Sequence, residues 1–105
     1  DSKYLIVEEC FLYEYESISL DNLAKRLGLS NRQTERFLKE YYGKTFQQKK
    51  KDAKMSMAKI LLRDSAQTIS SVAGLLNYSS SQHFSYAFKK YYGISATKYK
   101  KKIKP

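Results

Sequence analysis

The sequence contains one helical pattern twice, and this duplication constrains the fold more than any other feature. Four apolar positions at helical spacing return at an offset of 49 residues: Leu20, Leu23, Ala24 and Leu27 match Ile69, Val72, Ala73 and Leu76. The segment 41–43, Tyr-Tyr-Gly, returns at 91–93 at an offset of 50. The slip of one residue falls in the turn between the paired helices, where an insertion is best tolerated. The sequence therefore predicts two copies of a unit made of a short helix, a tight turn and a longer helix.

Every periodic segment has helical spacing, and alternating strand patterns are absent, so we predict an all-α protein of about seven helices. The predicted helices cover about 4–15, 20–27, 31–42, 46–63, 69–76, 80–91 and 97–104. Gly28 and its counterpart Asn77 follow the short helices, since Gly and Asn tolerate a left-handed backbone. Ser30 is predicted to cap the third helix, and Ser79 or Ser80 the sixth.

The domain organisation follows from the repeat. We predict two homeodomain-like helix-turn-helix subdomains, at 1–45 and 65–105, joined by a long linker helix over 46–64. An alternative is that the two helical hairpins serve only for packing, because paired helices with a turn are common structural units.

The charge is unevenly distributed along the chain. The net charge is +10; residues 1–43 hold six Lys/Arg against eight Asp/Glu, whereas residues 44–105 hold fourteen against two. A surplus of this size indicates a polyanionic partner, which could be DNA, RNA or an anionic membrane surface. The acidic first helix would be a poor neighbour for phosphate, so we expect it to face away from DNA, toward RNA polymerase or the rest of a longer chain.

The sequence offers little for catalysis. His83 is the single His and Cys10 the single Cys, so we expect no metal site, and there is no Gly-rich phosphate loop or nucleophile elbow. We therefore predict no enzyme activity, no catalytic residue and no cofactor. A run of 18 apolar residues and a signal-peptide pattern are both missing, so no membrane partner is expected. The lone cysteine favours a reducing cytoplasm, and the start at Asp1 suggests a fragment of something longer.

The third and sixth helices combine an apolar stripe with a polar stripe, as a helix in the major groove of DNA requires. The polar stripes give these candidate base readers: Arg32, Glu35, Arg36, Ser81, Gln82, His83, Ser85 and Tyr86. Arginine suits guanine, glutamate cytosine and glutamine adenine, and Tyr86 a thymine methyl group or a phosphate. The candidate contacts to the DNA backbone are lysines: Lys39, Lys49, Lys50, Lys51, Lys89, Lys90, Lys98 and Lys101.

The second repeat also resembles a known family. The segments 68–78 (TISSVAGLLNY) and 88–95 (FKKYYGIS), with Phe84 between them and Tyr99 after them, are similar to the DNA-binding domain of AraC/XylS transcription regulators. Residues 20–43 resemble that family's upstream repeat, and residues 54–62 its linker helix. The resemblance implies two recognition helices in successive major grooves on one side of DNA, preceded by a sensing or receiver domain.

This sequence departs from the family pattern at several places. Asn77-Tyr78 replaces Gly-Phe, Ala96 replaces Pro, and Tyr86 replaces a common Arg. Lys54 and Lys100 replace Arg, and Thr34 stands where an apolar residue is expected. Lys49 and Lys50 occupy an aromatic and an aliphatic position. The leading hypothesis is sequence-specific binding of double-stranded DNA for transcription regulation. The alternative is a basic helical module that binds RNA or anionic surfaces without reading sequence.

Overall fold

The computed structural model describes residues 2–102, and within them it contains seven α-helices and no strand, as the sequence predicts. The helices are α1 Ser2–Tyr13, α2 Leu20–Leu27, α3 Asn31–Tyr42, α4 Phe46–Leu62, α5 Ile69–Leu75, α6 Ser81–Tyr92 and α7 Ala96–Lys102. The first helix ends at Tyr13 rather than near Tyr15. The predicted end of the last helix near Lys104 lies outside the described residues.

The chain forms two compact units, and the division falls inside α4, between Lys54 and Met55. The first unit has an apolar core of Val7, Cys10, Phe11, Ile18, Leu23, Leu27, Leu38 and Phe46. The second unit has a core of Met55, Ala58, Leu62, Val72, Ala73, Leu76, Phe84, Phe88 and Ala96. The helix α4 therefore contributes its N-terminal end to one core and its C-terminal half to the other. A separate linker segment over 46–64 stays a prediction.

The turn between α2 and α3 forms where the sequence places it. The Ser19 side chain accepts a hydrogen bond from the Asn22 N–H and caps α2. Gly28 then adopts a left-handed backbone, with φ of 70°. Ser30 caps α3 in a reciprocal arrangement, since its hydroxyl accepts the Gln33 N–H while the Gln33 side chain accepts the Ser30 N–H. These caps satisfy backbone donors that the helix itself leaves free.

The second unit builds the same turn with different residues. Thr68 caps α5 through a bond from the Ser71 N–H. Asn77 has a φ of 64° and is the counterpart of Gly28, as predicted. The two candidate caps of α6 are now distinguished: the Ser80 hydroxyl accepts the His83 N–H at 3.1 Å. Both longer helices thus begin from a left-handed turn followed by a serine cap.

The buried faces of α3 and α6 match the apolar stripes with two exceptions. Leu38, Phe84 and Phe88 are fully buried. Helical periodicity assigns Tyr41 and its counterpart Tyr91 to the inner face, but they are 55% and 36% exposed. Thr34 is also fully buried, and its hydroxyl donates to the Ser30 carbonyl at 2.9 Å. A polar residue is therefore tolerated at this core position because its hydroxyl has a partner.

Each unit contains a lysine that binds carbonyl groups within the same unit. In the first unit the Lys50 ammonium donates to the Ile18 carbonyl at 3.1 Å. In the second, the Lys100 ammonium donates to the Asp64 carbonyl at 2.9 Å and the Leu62 carbonyl at 3.4 Å. Lys50 and Lys100 are equivalent in the repeat. In each unit, the lysine thus links the last helix to backbone carbonyls that precede the first helix of the helix-turn-helix pair.

Candidate nucleic-acid interface

The outer face of α3 presents two guanidinium groups. Arg32 and Arg36 are exposed and lie one helical turn apart, so their side chains share a face. Among the residues that the structure describes, neither guanidinium group takes part in an ion pair or a side-chain hydrogen bond. The third cation of this face, Lys39, is exposed in the last turn of the helix. The first turns of α3 therefore offer planar donors that are free to bind an acceptor.

Glu35 lies on the edge of this face and has a partner inside the protein. Its side chain is half-buried, and its carboxylate accepts the backbone N–H of Phe46 at 2.9 Å. Phe46 is the first residue of α4, where backbone N–H groups lack a partner within the helix. The carboxylate thus ties α3 to the start of α4. Reading of a cytosine by Glu35 stays a prediction.

The outer face of α6 carries amide, imidazole and hydroxyl groups. Gln82 and His83 are exposed, and Tyr86 is 66% exposed. The two serines of this face, Ser81 and Ser85, are half-buried. Within α6 the cations are Lys89 and Lys90 in the last turn, and the Lys90 ammonium lies 5.8 Å from the Tyr86 ring centroid. The first turns of α6 therefore differ from those of α3 in having no guanidinium group.

His83 is oriented by residues from the turn before α6. Its Nδ1 atom lies 2.9 Å from the Ser79 hydroxyl oxygen, and its ring meets that of Tyr78 edge-on at 6.4 Å. These contacts restrain the imidazole of an exposed residue. Ser79 was not predicted to orient His83, although its position four residues earlier places it one helical turn away.

The predicted backbone-binding lysines separate into two groups. The exposed group comprises Lys39, Lys51, Lys89, Lys90, Lys98 and Lys101. The other two, Lys49 and Lys50, are half-buried in internal contacts: the Lys49 ammonium lies 4.1 Å from the Tyr42 ring centroid, and Lys50 binds the Ile18 carbonyl. Their contact with DNA stays a prediction, and their ammonium groups would first have to leave these partners.

Lys59 is an additional cation that the sequence analysis did not single out. Its ammonium lies 4.0 Å from the Tyr92 ring centroid and 5.4 Å from that of Tyr99. The position of Lys59 over Tyr92 parallels that of Lys49 over Tyr42, because Tyr92 and Tyr42 are equivalent in the repeat. In each unit an ammonium group therefore lies over the second tyrosine of the repeated Tyr-Tyr-Gly segment.

Two kinds of feature are absent from the described part of the chain, a cluster of metal-binding side chains and a membrane-spanning helix. Between residues 2 and 102, no three His, Cys, Asp or Glu side chains come together as a metal site would require. No helix in this range has the length and apolar character needed to cross a bilayer. What the two outer faces can do chemically is donate and accept hydrogen bonds and attract phosphate.

Comparison with known proteins agrees with this geometry. Residues 23–102 match a protein family described as a helix-turn-helix domain. The transcriptional regulator ArgR of Pseudomonas aeruginosa is 26% identical over 80 residues, which are 76% of this chain and 24% of that protein. This chain therefore spans about a quarter of the length of that curated relative.

Two solved structures share the fold. A transcriptional regulator with an AraC-type DNA-binding domain, from Chromobacterium violaceum, is 24% identical with a TM-score of 0.84, covering 97% of this chain and 92% of that one. The C-terminal domain of the two-component response regulator yesN, from Fusobacterium nucleatum, is 27% identical with a TM-score of 0.74, covering 94% and 97%. The family match extends over more than half of the chain. This protein therefore belongs to the AraC/XylS family of helix-turn-helix DNA-binding domains.

Proposed function

We propose that the chain reads the sequence of a bipartite site in double-stranded DNA, with α3 in one major groove and α6 in the next. The observation that carries the proposal is the repeated pair of helices, each with a buried stripe and an exposed polar stripe. A B-DNA major groove admits one α-helix, and tandem units bind half-sites about one helical turn apart, roughly 10–10.5 base pairs.

The proposed base readers are exposed or half-buried side chains in the first turns of the two helices. They are Arg32 and Arg36 on α3, and Ser81, Gln82, His83, Ser85 and Tyr86 on α6. We assign Glu35 a positioning role, because its carboxylate already caps α4. The exposed lysines Lys39, Lys51, Lys89, Lys90, Lys98 and Lys101 would contact phosphate, which adds affinity without adding sequence information.

Selection of binding sites from random duplex DNA tests the proposal. The purified chain is incubated with the library at about 150 mM salt, where purely electrostatic binding is weakened. We expect enrichment of two short motifs about one helical turn apart. A single motif would contradict the bipartite part of the proposal. Tight binding without enrichment would support the alternative of a basic module that does not read sequence.

The wider context of the domain is also part of the proposal. A sensing or receiver domain would precede this domain in a longer chain, since the relative from Fusobacterium nucleatum is the C-terminal domain of a two-component response regulator. The acidic helix α1 exposes Glu8 and Glu9 and would face away from DNA, toward that domain or RNA polymerase. The buried free thiol of Cys10 fits a reducing cytoplasm.

A further inference from the structure

We infer that the two units divide the work of DNA recognition. The helix α3 selects guanine in its half-site, α6 selects A·T base pairs in the other half-site, and the second unit supplies most of the attraction for phosphate. This inference rests on the proposed function and deepens it, because it assigns a base composition to each half-site.

The first step is the placement of the arginines. The chain has four: Arg26, Arg32, Arg36 and Arg63. Arg26 is engaged, since its two terminal nitrogens bind the Glu14 carboxylate at 2.7 and 2.8 Å. Arg63 follows the end of α4, so the two arginines on a recognition helix both belong to α3. The planar guanidinium matches the adjacent O6 and N7 acceptors of guanine in a bidentate contact.

The second step is the chemistry of α6. Its first two turns expose the Gln82 amide and the Tyr86 ring and contain no Lys, Arg, Asp or Glu. A glutamine amide can bind the N6 and N7 atoms of adenine together, and an aromatic ring can contact the methyl group of thymine. Lys89 and Lys90 lie in the last turn, away from the N-terminal end that meets base edges. A half-site read by α6 therefore favours A·T pairs.

The third step is the charge of each unit. Residues up to Lys54 include eleven Lys/Arg and nine Asp/Glu, whereas residues from Met55 onward include nine and one. Several cations of the first unit are occupied, as Arg26 pairs with Glu14 and Lys44 with Asp52. The second unit exposes five lysines on α6 and α7: Lys89, Lys90, Lys98, Lys101 and Lys102. Phosphate attraction is thus concentrated in the unit that lacks a guanine reader.

Charge-conserving variants test the assignment of bases. In site selection with the double variant Arg32→Lys/Arg36→Lys, the preference for guanine in one half-site should fall by about ten-fold per base pair. Lysine keeps the charge of arginine but cannot make the bidentate contact of the planar guanidinium. The other half-site should stay unchanged, and Gln82→Ala should change that half-site alone. Arg63→Lys, which alters an arginine outside the recognition helices, is the matched control and should enrich the wild-type motif.

Salt dependence tests the assignment of phosphate attraction. The double variant Lys89→Gln/Lys90→Gln should lower the slope of log affinity against log salt by up to about two, since each phosphate contact contributes about 0.9. The matched pair in the first unit, Lys25→Gln/Lys39→Gln, should lower it by less. Circular dichroism of each variant at the assay temperature shows that it is folded.

The outcomes separate this inference from the proposed function. Three results would each overturn the division of work between the units. They are guanine in the half-site that responds to Gln82→Ala, an unchanged motif in the arginine double variant, and equal salt effects of the two lysine pairs. A wild-type chain that enriches no motif would instead overturn the proposed function. Guanine and A·T preferences that respond to different helices would support both.

Discussion

Substitution of Glu35 separates a positioning role from a base-reading role. The Glu35 carboxylate accepts the Phe46 N–H at 2.9 Å, and the Phe46 side chain is 2% exposed in the core of the first unit. This N–H belongs to the first turn of α4 and has no acceptor within the helix. Removal of the carboxylate therefore affects both the N-terminal end of α4 and the position of α3, without any change in the core itself.

The magnitude follows from the type of bond and its exposure. A hydrogen bond to a charged group is worth about 1.5–3 kcal/mol. A carboxylate near a helix N-terminus adds about 0.3–1 kcal/mol. Because the side chain is half-buried, we expect Glu35→Ala to lower the free energy of unfolding by only about 1–2 kcal/mol. Glu35→Gln keeps a neutral acceptor, so its loss should be about 0.5–1 kcal/mol. Urea unfolding followed by circular dichroism measures both.

Site selection with the same variants gives the decisive comparison. A positioning residue predicts that Glu35→Gln enriches the wild-type motif, because no base contact has changed. A cytosine reader predicts a changed preference at one base pair, since the new amide also donates hydrogen bonds. Glu40→Gln, an exposed change on the same helix, is the control. Unchanged unfolding together with a changed motif in Glu35→Gln would refute the positioning role.

Three further predictions concern stability. Gly28 has a φ of 70°, so Gly28→Ala should lower the free energy of unfolding by about 1–2 kcal/mol. Gly28→Asn should lower it by less, because Asn77 adopts the same backbone conformation in the second unit. Urea unfolding compares the two variants. Phe88 is fully buried, so Phe88→Ala should lower the free energy of unfolding by about 3–5 kcal/mol in the same assay. Burial and the neighbouring Glu8 raise the pKa of Tyr42 from 10.0 to about 12. The folded state therefore holds this proton more tightly than the unfolded state does. The free energy of unfolding should fall as pH rises from 10 toward 12, and it should fall less steeply in Tyr42→Phe. Parallel pH profiles for the wild-type protein and Tyr42→Phe would contradict this prediction.

The sequence was sufficient for features that depend on local chemistry. The cap Ser30 and the left-handed residues Gly28 and Asn77 act within three or four residues of the chain, so residue type and spacing predict them. The apolar stripes of α3 and α6 likewise follow from helical periodicity. Even there, periodicity assigned Tyr41 to the inner face, although more than half of its side chain is exposed.

The partners of charged residues could not be predicted in this way. Glu35 and Phe46 are 11 residues apart, and Lys50 and Ile18 are 32 residues apart. The sequence of a helix does not distinguish an outward charged side chain that contacts solvent from one that contacts DNA or a backbone group of the protein. The tertiary structure determines the partner, and for Glu35, Lys49 and Lys50 it lies within the protein.

The lysine bond that closes each unit has a consequence for synthesis of the chain. The Lys50 ammonium donates to the carbonyls of residues 16 and 18, and the Lys100 ammonium donates to those of residues 62 and 64. In each unit these lysine–carbonyl bonds therefore join residues that are less than about forty positions apart in the sequence. Translation proceeds at about 5–20 residues per second, and domains fold in order from the N-terminus. The first unit therefore has all of its own partners synthesised once residue 54 is added, about 2–10 seconds before synthesis reaches the end of α7.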